Sequence, residues 1–179
     1  MNIYLVRHTS VAVPRGICYG QSDVPLNERF FDEAHVVKSK LQKIFNSFTP
    51  DIVFTSPLSR CSKLAEFCGY SNAIHEPRIM EMNFGNWEMQ DYNNIDDPNL
   101  QNWYNDYLNV EATGGESFKS QYLRVSLFFD QLKKTGFSNV LIFTHAGVIE
   151  CAKIYTGSIN FIEAFATQEE YGSVIKLNL

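Results

Sequence analysis

Ile3-Tyr4-Leu5-Val6-Arg7-His8-Thr9 is the stretch that decides the fold of this chain. Four apolar residues run straight into an arginine and a histidine. A run so short and so apolar reads as a buried strand of an α/β sheet. The polar pair falls where that strand ends, and open α/β sheets bind ligands just beyond the carboxyl ends of their strands. The same grammar returns in Asn139-Val140-Leu141-Ile142-Phe143-Thr144-His145-Ala146-Gly147. Two strand-end histidines imply one shared site.

Working outward from the first strand, Ser10 to Pro25 is rich in turn formers (Pro14, Gly16, Gly20, Asp23, Pro25) and reads as a long functional loop beside that site. Asn27 is positioned to cap a helix whose stripe is Phe30, Phe31, Ala34, Val37, Leu41, Ile44, Phe45 and Phe48, with His35 on its surface or boundary. Asp51 to Thr55 is a second strand. Ser56-Pro57 then reads as an N-cap followed by proline at the first helical position. That helix carries Leu58, Cys61, Leu64, Ala65 and Cys68, with Arg60 in its first turn. A third strand is predicted over Tyr70 to Ile74, with His75 as a surface residue at its end. From Met89 to Val110 the chain is aromatic and weakly periodic, an excursion of short helices. Gly114-Gly115 breaks it, and Glu116 opens a long helix with Phe118, Tyr122, Val125, Phe129 and Leu132 on one stripe. After the His145 strand come a helix from about Val148 to Tyr155 and a last strand near Ser173 to Leu177. Strands alternating with helices make an α/β fold with a largely parallel sheet, read here as one domain over residues 1–179.

Bulk properties narrow the partners. Hydrophobic residues make up 45% and charged residues 20% of 179, an ordinary globular balance. A net charge of −5 gives no broad surface for nucleic acid or an anionic membrane, so an anion must be held by a local cluster of arginines. The four cysteines (Cys18, Cys61, Cys68, Cys151) lack Cys-x-x-Cys spacing and read as reduced thiols. No leader pattern and no run long enough to span a bilayer is seen, so the expectation is a cytoplasmic protein. Oligomeric state is not legible.

Strand ends and their loops collect Arg7, His8, Arg60, Glu81 and His145. Arginine forks suit phosphoryl oxygens. A neutral imidazole can accept a phosphoryl group covalently, and a second can donate to its oxygens as charge builds. A carboxylic acid can protonate the leaving alkoxide and then deprotonate water. The set calls for no metal and no cofactor. Taken singly, each residue has a plainer reading: a histidine bonded to a loop, a solvated first-turn arginine, a loop carboxylate. A cation at Arg60 does oppose the helix dipole, which favours a bound anion beside it.

Leu5-Val6-Arg7-His8, Thr55-Ser56-Pro57-Leu58-Ser59-Arg60-Cys61, Glu81 with Phe84-Gly85-Asn86-Trp87-Glu88, Gly114-Gly115-Glu116-Ser117 and Thr144-His145-Ala146-Gly147 together resemble the histidine phosphatase superfamily, which includes the cofactor-dependent phosphoglycerate mutases. The resemblance runs along nearly the whole chain. It implies a three-layer α/β/α sandwich, His8 as the phosphorylated nucleophile, Glu81 as proton donor and acceptor, and Arg7, Arg60 and His145 as the phosphate pocket. The common pattern has glycine after the histidine and an asparagine soon after. This chain has Thr9 and no asparagine before Asn27. With Gly16-Ile17-Cys18-Tyr19-Gly20-Gln21-Ser22-Asp23-Val24-Pro25-Leu26, that variant is similar to the α-ribazole phosphatase branch. The implied activity is removal of the 5′-phosphate of α-ribazole phosphate late in cobalamin assembly. A sugar-phosphate phosphatase, a mutase-type phosphotransferase and a non-catalytic phospho-ligand binder are the other readings.

Further residues carry two readings each. Gln21 and Ser22 either lend a side chain or N–H to the phosphate or form a plain turn. Tyr19 can stack on a flat base, as can Trp87, for which buried packing is the plainer reading. Residues from Tyr92 to Tyr107 form a lid or a packed flap. Glu116 either bonds within the site or begins its helix, and Cys18 is an oxidation-sensitive thiol or simple packing.

Overall fold

The computed structural model describes residues 1–165 and 168–179. Five strands form one sheet in the order β3-β2-β4-β1-β5. β1 (Asn2–Arg7) and β4 (Asn139–Thr144) lie parallel at its centre, with Arg7 opposite Thr144. β2 (Ile52–Thr55) runs parallel to β4, β3 (Ile74–His75) runs parallel to β2, and β5 (Val174–Asn178) closes the other edge antiparallel to β1.

Period-two alternation along the two central strands explains the layering. Ile3, Leu5, Val140 and Ile142 point to one face, where they meet Val125 and Phe129 of α4 (Phe118–Leu132) and Val148 and Ile149 of α5 (Ala146–Tyr155). Tyr4, Val6, Leu141 and Phe143 point to the other, against Ala34, Val37 and Leu41 of α1 (Phe30–Ile44) and Cys61 and Leu64 of α2 (Ser59–Phe67). The result is the expected α/β/α sandwich. Each fully buried aliphatic side chain contributes roughly 1.5–3 kcal/mol, so the two strands ending at the histidines are the most firmly held backbone in the molecule. The excursion after Met89 contains a short turn at Tyr92–Asn94 and the helix α3 (Asn99–Asn105). It packs Trp103 against Trp87, which is buried as its packing reading required.

Several element boundaries differ from the sequence reading, each for a local reason. α2 begins at Ser59, not at Ser56-Pro57, because its leading N–H is capped by Asp23 Oδ1 of the long loop, at 2.8 Å. α1 starts at Phe30, with Arg29 at its N-cap. Asn27 Oδ1 accepts from Arg29 N instead of capping the helix. Ser117, rather than Glu116, caps α4. The third strand shrinks to Ile74–His75, since Tyr70 N is taken by the carbonyl of Ala65 at the end of α2. Phe31 is exposed although it lies on the predicted stripe, and His35 and His75 are surface residues.

Candidate active site

The parallel pairing of β1 with β4 sets two histidines side by side. His8 N donates to Thr144 O, and the rings of His8 and His145 stand 5.2 Å apart between centroids. Both are buried. Arg60, the second residue of α2, reaches in from below and is 0% exposed. Its guanidinium donates to Gly20 O at 2.6 Å, Ser22 O at 2.9 Å and His145 Nδ1 at 3.3 Å. Arg7 donates to Glu169 O and lies 4.1 Å over the Tyr171 ring. Among the described residues neither arginine forms an ion pair. One buried and one half-buried cation with only neutral partners are poised for an anion.

The two imidazoles are held in opposite tautomers. His8 Nδ1 is 2.7 Å from Thr9 O, and a carbonyl can only accept, so the proton sits on Nδ1 and the lone pair on Nε2. His145 Nδ1 accepts from Arg60, so its proton sits on Nε2 and is donated to Ser56 Oγ at 2.8 Å. Burial and then the positive charge of Arg60 hold both rings well below the ordinary imidazole pKa, so both are neutral at pH 7.

Glu81 lines a cavity of about 200 Å³ together with His8 and Arg7. Its carboxylate accepts three N–H groups: Met82 N at 2.9 Å, Gln121 Nε2 at 3.0 Å and Gly147 N at 3.2 Å. Arg124 fixes the backbone beneath it, donating to the carbonyls of Arg78, Met80 and Glu81, while its outer face pairs with Glu116. Glycine is required at position 147, since a methyl there would sit 2.4 Å from Glu81 Oε1.

The structure therefore brings Arg7, His8, Arg60, Glu81 and His145 together. Arg60 and His145 form the floor behind the cavity lining. Tyr19 lines the cavity, under Arg60 and bonded through its hydroxyl to Tyr171 at 3.0 Å. Gln21 and Ser22 do not line it: their backbone N–H groups donate to the Glu88 carboxylate, while the Gln21 side chain donates from Nε2 to Glu81 O at 2.9 Å. Glu116 neither enters the site nor begins the helix. It pairs with Arg124 and accepts from Asn83 N. Cys18 lines the cavity while buried, and burial pushes its thiol up to about 11.

Sequence reasoning gives no place to Gln121, Arg124 and Tyr171, while Ser56 and Glu88 enter it only inside the motifs that carry the resemblance and, for Ser56, as a helix cap. Of the first three only Gln121 left a trace, an amide interrupting the apolar face between Phe118 and Val125. Among the described residues no group of His, Cys, Asp and Glu is arranged to hold a metal ion, and no helix is long and apolar enough to cross a membrane.

The family model described as histidine phosphatase superfamily (branch 1) matches residues 3–179. The adenosylcobalamin/alpha-ribazole phosphatase of Escherichia coli K12 is 28% identical over 157 residues, 83% of this chain and 75% of that protein. Phosphoserine phosphatase 1 of Hydrogenobacter thermophilus is 29% identical over 153 residues, 79% of this chain and 69% of that one. In fold, the alpha-ribazole phosphatase crystal structure from Shigella flexneri superposes with a TM-score of 0.88 at 24% identity, covering 100% of this chain and 91% of that one.

Proposed function

The chain belongs to the histidine phosphatase superfamily, branch 1, and from that premise we propose that it hydrolyses a small phosphate monoester by way of a phosphohistidine on His8. One observation carries the assignment. A buried, neutral imidazole with its lone pair on Nε2 borders a cavity shared with Glu81 and backed by two arginines that lack carboxylate partners.

The phosphoryl group binds between Arg7 and Arg60, whose charges offset those of its oxygens. His8 Nε2 attacks phosphorus, the bond to the ester oxygen breaks, and Glu81 passes a proton to the departing alkoxide. Water then enters, gives a proton to Glu81 and attacks phosphorus. The P–N bond breaks and returns the lone pair to His8. His145 donates to the oxygens from Nδ1 by tautomerising, its one proton leaving Nε2 for Nδ1 as Arg60 turns its Nε–H from that atom to the phosphoryl group and Ser56 Oγ–H becomes the donor to Nε2. The sum is ester plus water giving alcohol plus inorganic phosphate.

The substrate we assign is α-ribazole 5′-phosphate. The similarity to the Escherichia coli enzyme and the variant loop after His8 support it. So does an aromatic lining of Tyr19, Phe84, Tyr92 and Phe118, which suits a flat apolar base. The relatedness to phosphoserine phosphatase 1 favours phosphoserine as the second reading. The protein works in the cytoplasm on this view, its four cysteines being free thiols suited to a reducing compartment. Catalytic efficiencies on α-ribazole 5′-phosphate, phosphoserine and 3-phosphoglycerate test the substrate. A preference of about 10–200-fold for the first is expected, and a preference for phosphoserine or transfer between positions of phosphoglycerate overturns it. An alkaline-quenched phosphohistidine that persists in His8→Ala overturns the mechanism.

A further inference from the structure

The catalytic scheme leaves one buried group unused. Gln121 is 1% exposed and lines the cavity, and its Nε2 donates to Glu81 Oε1 at 3.0 Å. A carboxylate only accepts, so the nitrogen must face Glu81 and the carbonyl oxygen must face away from it. That Oε1 is buried and has no hydrogen-bond partner among the described residues. An acceptor enclosed without a donor loses its hydration and is destabilising. A leucine or methionine would fill the same apolar stripe between Phe118 and Val125 without that cost. The space that Oε1 borders is defined by Gly147. A methyl placed there would lie 2.4 Å from Glu81 Oε1, 2.9 Å from Gln121 Nε2 and 3.0 Å from Gln121 Oε1, so the side-chain amide and the carboxylate flank one small volume at the edge of the cavity.

We infer that Gln121 Oε1 accepts a hydrogen bond from the water that hydrolyses the phosphohistidine, making Gln121 a catalytic residue of the second half-reaction. The inference rests on the proposed passage of phosphate through His8. Its logic is a count of hydrogens. In the first half-reaction the oxygen opposite His8 is the leaving oxygen, which bears carbon and receives one proton from Glu81. In the second half-reaction the same place is taken by water, which bears two hydrogens. Glu81 takes one of them as oxygen attacks phosphorus and the P–N bond breaks. The other is best given to an acceptor, and Gln121 Oε1 is a buried, unpartnered one beside Glu81. An alcohol in that place has no second hydrogen to give. Gln121 therefore favours water over alcohols as the acceptor of the phosphoryl group.

The test uses 4-nitrophenyl phosphate, whose leaving group needs no proton, with Gln121→Leu and Gln121→Met compared against the wild type. Vanadate binding verifies that each variant keeps its site, and either folded variant suffices. The burst of nitrophenolate, one per active site, is expected to persist, with phosphohistidine trapped in alkaline quench. The steady-state rate should fall about tenfold, the worth of one ordinary hydrogen bond. With glycerol as a competing acceptor, the ratio of hydrolysis to transfer should fall by a similar factor. An unchanged ratio with both acceptors slowed alike reduces Gln121 to a prop for Glu81 and overturns the inference, as does an unchanged steady-state rate. Absence of any phosphohistidine in the wild type instead overturns the underlying mechanism. If neither variant binds vanadate, the acceptor ratio of Gln121→Asn, which withdraws the amide by one methylene, decides in the same way.

Discussion

At the ends of two neighbouring strands, β1 and β4, two imidazoles stand 5.2 Å apart with their protons on opposite nitrogens. His8 gives its Nδ1 proton to the next carbonyl in its own chain, a local contact that leaves Nε2 bare. His145 keeps Nδ1 bare under Arg60 and sends its proton from Nε2 to Ser56, both partners coming from the segment that follows β2. Strand position alone does not distinguish the two rings. The partner of each Nδ1 does: a carbonyl for the proposed nucleophile, a guanidinium for the ring proposed for the anion pocket.

The largest effect expected from this difference is on turnover. His8→Ala should remove the covalent route and lower kcat by at least about 10⁴-fold. His145→Ala should leave the nucleophile in place and cost about 10²–10³-fold, the size of one lost donor to a developing oxyanion. Single-turnover kinetics with alkaline quench separate the two, since His145→Ala should still form phosphohistidine, slowly. Equal losses with no intermediate in either variant would erase the distinction drawn here.

A feature the rings share gives the next prediction. Both are held neutral by burial and by Arg60. In the unfolded chain each binds a proton near its ordinary value of 6.5, while in the folded chain each resists it well below that value. Stability from this source is therefore complete above pH 6.5 and is lost as pH falls toward the depressed native values. The slope is up to about 1.4 kcal/mol per pH unit for each histidine. Denaturant melts of the phosphate-free protein between pH 6.5 and 5.5 should show this loss, and His145→Asn should remove up to half of the histidine contribution. An identical slope in that variant would mean that His145 binds its proton alike in the folded and unfolded chain.

What the sequence made legible follows the range of the interactions involved. β1 and β4 announce themselves because their burial on both faces needs only their own residues, and each histidine is simply the first polar side chain after the strand. Arg60 and Glu81 could be gathered by their places near strand ends. Ser56 was read as a helix cap because serine before proline is a strong local signal. In the folded chain Asp23 caps α2 across 36 residues of sequence, and Ser56 Oγ takes the Leu58 N–H only at 3.4 Å while it meets His145 Nε2 at 2.8 Å. Gln21 and Ser22 were offered to the phosphate, but Glu88, more than 60 residues on, takes their N–H groups. Tyr171 over Arg7 and the grip of Arg124 on the Glu81 backbone depend on chain returns that no periodicity encodes.

Ser56 supplies the smallest and sharpest test of the opposed wiring. Ser56→Ala takes the acceptor from His145 Nε2–H inside a fully buried site. The ring cannot escape by moving its proton to Nδ1, because that would set it against the Arg60 Nε–H. It has a weak second acceptor instead. Cys61 Sγ lies 3.5 Å from Nε2, and its own S–H is directed at Thr144 O. The single substitution should therefore cost only about 1 kcal/mol of stability. Cys61→Ala alone should cost little beyond its packing. The double variant should exceed the sum of the two by roughly 0.5 kcal/mol or more, the coupling expected of groups that share one partner. Strict additivity in denaturant melts would mean that His145 holds its proton on the other nitrogen. His8 and His145 would then be wired alike.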